Sequence, residues 1–264
     1  MSEPEGHGVT GPEPQTAQLA AAQHLVVRYA KRGKMRFASH RDVARVFERG
    51  VRRAGLPIAY SAGFTPHPKI SYAGGAPTGV ASEAEYLSLA LTSRQAATLV
   101  GQRLNAALPD GIDVIDVTED ARVGDGTAFG PLEASTWRVV LPGVEPAAAA
   151  RAVAGFLALG EAPVERLTDK GVRCLDARAA VVGLDVLEPD PIAASPDDGQ
   201  LAAVTGLEGC AILRMVVLHM APAVRPEDVL AALRQRYGLE PSAPPVTTRL
   251  AQGPLTLLTP ERAS

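Results

Sequence analysis

The chain's 264 residues, 46% hydrophobic and 21% charged, suit a core-forming protein of two modest domains. No apolar run approaches the ~18 residues that a membrane-spanning helix needs, and the opening MSEPEGHGVTGPEPQ lacks the basic start and apolar stretch of a secretory signal. Net charge is only −3, yet residues 24–72 hold eleven Lys and Arg against two acids, Asp42 and Glu48, a local charge of +9.

Residues 1–22, rich in Gly, Pro, Glu and Ala, read as a disordered tail. HLVVRYAKRG (24–33) alternates as a strand does, and MRFAS after Gly33 reads as its hairpin partner or extension. A helix is expected from Ser39, a good N-cap, with Asp42 three positions on to close a capping box. Val43, Val46, Phe47, Val51 and Ala54 form its buried stripe and Gly55 ends it, which leaves Arg41, Arg45, Arg49, Arg52 and Arg53 on the solvated side. PIAYS (57–61) reads as a short strand, GFTPHPK as a loop, ISYAGG (70–75) and AEYLSLALT (84–92) as strands. A helix over 93–108 and a strand over 112–118 complete a β-α-β-β-α-β order, the ferredoxin-like plan.

A linker follows at 119–131. The second half repeats the rhythm: a strand at 135–142, an Ala-rich helix at 146–160, and a hairpin of 163–168 with 171–178, which VVGLDVLE is expected to continue. EPDPIAASPDDG (188–199) reads as an acidic loop, LAAVTG and CAILRMVVLHM as paired strands, 225–238 as a helix, and VTTRLAQG (246–253) as an edge strand. The expected fold is therefore α+β, two tandem ferredoxin-like halves at 23–118 and 132–255, with a tail at 256–264.

Outside residues 24–72 the chain carries 15 bases and 27 acids, a charge of −12. A basic block on an acidic chain points to a polyanionic partner. Arg outnumbers Lys by 22 to 4, as GC-rich coding would produce, but that bias does not keep acids out of one segment. Cys174 and Cys210 are too few for a disulfide framework or a Cys-ligated cluster. No metal, cofactor or membrane partner is expected, and the expected location is the cytoplasm. No dinucleotide fingerprint, phosphate-binding loop, nucleophile elbow or zinc pattern occurs, and GGAPTG (74–79) lacks the Lys-Ser or Lys-Thr of a phosphate loop.

Residues 37–91 resemble a bacterial family of unknown function termed radical SAM-linked, whose members are fused to, or encoded beside, a radical SAM protein. The matching residues are Ser39-His40-Arg41-Asp42, the run from Tyr60 through Gly63-Phe64-Thr65-Pro66-His67-Pro68 to Lys69, Gly79-Val80-Ala81-Ser82-Glu83-Ala84-Glu85-Tyr86 and, more weakly, Asp176-Ala177-Arg178. Members usually carry Leu where this chain has Arg41, and an Arg near Ala177. The resemblance spans about residues 24–240 and implies a companion of the radical SAM protein rather than the catalyst, because the CxxxCxxC cluster motif is missing.

The loop has its own physics. Pro66 and Pro68 flank His67 and lower its backbone entropy, and Gly63 permits a tight turn. Phe64 and His67 can stack on bases, Tyr60 lies beside them, and Lys69 with Arg36, Arg41, Arg45, Arg49, Arg52 and Arg53 can neutralise phosphates. The leading expectation is an RNA-binding accessory factor for tRNA or rRNA processing or modification. The alternatives are a protein–protein adaptor for a radical SAM enzyme and, weakest, a metal-independent RNA endonuclease using His40 and His67 as acid and base. That last resemblance, to CRISPR RNA-processing enzymes, is one of fold alone. Glu83 and Glu85 share a strand face and are expected to pair with the basic helix, Asp176 and Arg178 share another face, and His219 reads as a satisfied core histidine.

Overall fold

A computed structural model describes residues 20–62, 64–119, 129–168, 171–188 and 210–258. Its elements are β1 (Gln23–Lys31), a 3-10 turn (Gly33–Phe37), α1 (His40–Arg53), β2 (Ile70–Tyr72), β3 (Ala81–Leu91), α2 (Ala97–Ala107), β4 (Ile112–Glu119), β5 (Ala134–Leu141) and α3 (Pro146–Leu157). They continue with β6 (Pro163–Thr168), β7 (Gly171–Asp176), β8 (Val181–Leu187), β9 (Ala211–Leu218), α4 (Pro226–Tyr237), β10 (Val246–Gly253) and α5 (Leu255–Leu258). The result is a mixed α+β fold.

One eight-stranded mixed sheet runs β4-β1-β3-β10-β5-β9-β8, with β2 also on β3, and β6-β7 form a separate ribbon. All pairs in the large sheet are antiparallel except β10 with β3. The long β3 gives one edge to two partners: its start, Ala81–Ser82, lies against Thr248–Arg249, while Leu87–Leu89 lie against Tyr72–Ile70. Two cores lie along the sheet. In the first, Leu25, Val27 and Tyr29 of β1 and Leu87, Leu89 and Leu91 of β3 meet Val43, Phe47 and Val51 of α1 and Val100 and Leu104 of α2. In the second, Trp137, Val139, Leu213 and Met215 meet Phe156 of α3 and Val229 and Leu233 of α4. Period-two strands and period-3.6 helices each turn one face inward, and each large side chain so buried contributes roughly 1.5–3 kcal/mol.

Several expectations change. MRFAS is no strand: Met35, Arg36 and Phe37 lie in the 3-10 turn, where Met35 N donates to Arg32 O at 3.0 Å and Ala38 N to Met35 O at 3.0 Å. PIAYS makes only isolated bridges, Ile58 to Leu91 and Tyr60 to Pro68. VVGLDVLE does not prolong the ribbon. Asp176 Oδ1 accepts from Ala162 N at 2.8 Å and Arg178 N at 2.9 Å, and the corner so made sends β8 onto β9. Asp176 and Arg178 therefore build a turn rather than share a strand face. VTTRLAQG is not an edge strand but the seam of the sheet, paired on both sides. Its buried residues Thr247, Thr248, Arg249 and Gln252 are polar, the pattern of an exposed edge, and the side chains of Arg249 and Gln252 are tolerated because they find partners inside. Gln252 Nε2, for example, donates to Ala84 O at 2.5 Å.

The 1–19 part of the tail, Gly63, the 120–128 part of the linker, the 169–170 hairpin turn, 189–209 with its acidic loop and LAAVTG, and 259–264 lie outside the described residues.

Gly111 shows how tightly the first half closes. Its φ is +88°, and a Cβ there would stand 2.7 Å from Arg32 O. Gly111→Ala is expected to lower unfolding stability by about 1–3 kcal/mol from backbone strain alone, whereas Gly74→Ala, where a Cβ meets nothing within 4 Å, leaves the urea midpoint unchanged.

Candidate nucleic-acid interface

Local chemistry starts α1 where the sequence predicts. Asp42 N donates to Ser39 Oγ at 3.2 Å, and Ser39 N donates to Asp42 Oδ2 at 3.2 Å. The Ser39 hydroxyl, which donates to Asp42 Oδ2 at 2.6 Å, and the Ser39 N–H on the same oxygen hold the Asp42 carboxyl below its ordinary pKa. With Val43, Phe47 and Val51 turned to the core, the opposite side presents Arg41, Arg45, Arg49 and Arg52, all exposed. The side chains of Arg41, Arg49 and Arg52 make no hydrogen bond or ion pair among the described residues, and that of Arg45 has only Asp42, 3.9 Å away. At 1.5 Å rise per residue the stripe is roughly 16 Å long. Arg53, also exposed, is partly committed: its Nη1 donates to Ala107 O at 3.1 Å.

The loop leaves the edge of β3 on which β2 pairs. Ala59 N donates to Ala90 O, Lys69 N donates to Ala59 O, both at 2.7 Å, and Ala90 N donates to Lys69 O at 3.1 Å. Ala59 and Lys69 thus sit side by side on β3, and the described residues between them, 60–62 and 64–68, leave and rejoin one edge strand. Ser61 N donates to His67 O at 2.8 Å and His67 N to Ser61 Oγ at 3.0 Å, which pins the neck. Phe64, His67 and Lys69 are exposed, while Pro68 is buried. Tyr72, just beyond the loop, donates from its hydroxyl to Ala44 O at 3.4 Å and packs edge-on to Phe47, so α1 and the loop's strand are locked together. Burial and nearby Glu48 raise the Tyr72 pKa.

Not every expected contact residue reaches this surface. Tyr60 packs against the first core. Arg36 stacks over Phe37, 4.7 Å from its ring centroid, and its Nε is buried. His40, at the start of α1, meets Tyr72 edge-on at 5.4 Å and lies near Gly75. Gly75 is also close to Glu85, whereas the loop joins β3 at Ala90. No hydrogen bond or ring contact among the described residues joins His40 to His67: His40 meets Tyr72, and His67 bonds to Ser61. Among the described residues no group of three or more His, Cys, Asp or Glu could hold a metal ion. No described helix is long and apolar enough to cross a membrane.

The +9 block is also partly spent inside. Arg32 forms a fork with Glu83, Nε to Oε1 at 2.7 Å plus a second contact, and reaches Asp113 at 2.9 Å. Lys31, 3% exposed, donates to Ala76 O at 3.2 Å. Glu83 and Glu85 therefore do not pair with α1. Glu85 instead accepts from Ala76 N at 3.1 Å and from Arg249 Nη1 at 3.3 Å, and Arg249 also donates to Gly74 O at 3.1 Å and lies 4.8 Å over the Trp137 ring. GGAPTG thus anchors a buried cluster at the seam. Sequence reasoning missed it, although Glu85 shares the inward register of Leu87 and Leu89, where a carboxylate requires a buried partner.

His219 is satisfied as expected, but exposed rather than in the core: Nδ1 is 2.7 Å from Leu132 O and Nε2 is 2.6 Å from Ser135 Oγ. Burial of its ring lowers its pKa below the usual histidine value. A group depressed in the folded state loses stability as pH falls from the unfolded value near 6.5 toward the folded one. His219→Gln is expected to flatten that part of the stability–pH curve, as thermal melts between about pH 7 and 5 would record.

The family model that matches residues 24–226 is described as an uncharacterized protein conserved in bacteria, DUF2344. The chain belongs to this family. No curated protein matches this DUF2344 chain. A crystal structure of the first two RRM domains of yeast poly(U) binding protein (Pub1) is similar over 84% of this chain and 98% of that one, with 10% identity and a TM-score of 0.21, too slight a likeness to carry an argument.

Proposed function

We propose that this DUF2344 chain is an RNA-binding accessory factor in tRNA or rRNA processing or modification. The observation that carries the reading is the α1 stripe: four exposed arginines opposite the core, three of them without an ion-pair or hydrogen-bond partner among the described residues. Its helix is tied through Tyr72 to the strand that follows a pinned loop whose described residues, Ala59–Lys69 apart from Gly63, include no acid. Guanidinium groups left exposed in this way suit the charge of a phosphate backbone.

The strand orders β4-β1-β3-β2 and β10-β5-β9-β8 support two tandem ferredoxin-like units fused through β10. The resemblance to the radical SAM-linked family supports a radical SAM protein as the enzyme that the factor serves. The test is RNA binding at two salt concentrations by wild type and by a charge reversal of Arg45, Arg49 and Arg52. Binding indifferent to both would turn the basic face into a protein-docking surface.

A further inference from the structure

We infer that the RNA taken by this surface is an unpaired strand, one base of which stacks on Phe64. The inference rests on the RNA-binding reading and adds to it the class of nucleic acid. The Phe64 side chain is 109% exposed, so the largest apolar group of the loop touches nothing in its own chain. A slack loop would fold such a ring back onto the protein, but this neck is closed by the Ala59–Lys69 and Ser61–His67 bonds and by buried Pro68. The neck beneath the ring is thus already closed by hydrogen bonds, which lowers the entropy lost on binding.

The surroundings decide the partner. Exposed His67 and Lys69 lie on the same loop, and β2, which follows it, is tied through Tyr72 to α1, the helix that carries the arginine stripe. An apolar pocket on a protein would suit the ring alone; a polyanion that also offers flat π faces suits the ring and the cations together. In duplex RNA the base faces are hidden in the stack, whereas unpaired bases are open to an aromatic side chain. Stacking of one base is a sequence-tolerant contact that alanine substitution weakens by roughly 5- to 100-fold.

The test uses the full chain and labelled RNA of about twelve nucleotides, as a mixed-sequence single strand and as a duplex. Phe64→Ala is expected to lower single-strand affinity roughly 5- to 100-fold, with duplex affinity and the salt slope unchanged and Phe64→Trp restoring binding. A 2-aminopurine base in the strand is expected to lose fluorescence on wild type and not on Phe64→Ala. Matching thermal melts would show that the variants fold. Equal losses for strand and duplex, or no loss, overturn the inference, including the case in which Phe64→Ala instead sheds a co-purifying protein. Failure of the RNA reading itself looks different: there the Arg45, Arg49 and Arg52 reversal changes nothing.

Discussion

Glu85→Gln is expected to lower unfolding stability by about 3–5 kcal/mol, the usual cost of removing one partner of a buried ion pair. For a chain of this size that corresponds to a fall in Tm of roughly 6–20 °C. The size of the effect follows from the cluster's composition. Lys31, Glu85 and Arg249 are each 5% exposed or less, and the one carboxylate stands between two cations. Burial lowers the Lys31 and Arg249 pKa values, and the Glu85 charge offsets only part of that fall. Without that charge both cations remain in the seam, and Arg249 Nε already lacks a hydrogen-bond partner.

A lysine whose folded pKa lies below its unfolded value opposes folding most when both states are protonated, and the penalty eases as pH rises toward the unfolded value near 10.5. The Glu85→Gln deficit should therefore shrink in alkaline buffer. Adding Arg249→Met should cost less than the two single changes summed, by more than about 0.5 kcal/mol. Glu119→Gln, at the exposed Arg94–Glu119 pair, is the control and should cost under about 1 kcal/mol. A urea titration showing Glu85→Gln no worse than that control would remove the seam from any structural role.

The second large effect is electrostatic and at the surface. Four arginines that each neutralise one phosphate of a single strand give a log–log salt slope of about −3, so a fourfold rise in salt should weaken binding roughly 50-fold. Reversal of Arg45, Arg49 and Arg52 should reduce the slope by about 2 as well as the affinity. These side chains leave the core on the far face of α1, so the Tm of the reversal should stay within a few degrees of wild type. A wild-type slope near zero would deny the stripe any phosphate contact, whatever the affinity.

Much of the fold is legible residue by residue because its causes are local. Ser39 and Asp42 announce the start of α1 by their own hydrogen bonds, and the apolar spacing of Leu25, Val27 and Tyr29, or of Val43, Phe47 and Val51, names the inward face without knowledge of what it meets. The errors fall where a neighbour far away in the chain decides. Ile58 and Ile70 flank the loop on one edge strand because Leu91 and Leu89 lie beside them. The same holds for Asp176, whose bond to Ala162 turns the chain toward β9.

For the candidate site the division is similar. By itself the sequence determined a basic block, a capped helix with arginines away from its core stripe, and a loop rich in Pro with an aromatic residue, all properties of neighbouring residues. Only the tertiary structure decided which charges remain outside. Lys31 and Arg32 pair inward, Tyr60 packs on the core, His40 meets Tyr72, and Arg249, 164 positions from Glu85, lies beside it. The physical reason is that periodicity reports which face a side chain takes, while a charge's role depends on the partner that long-range strand pairing brings to it.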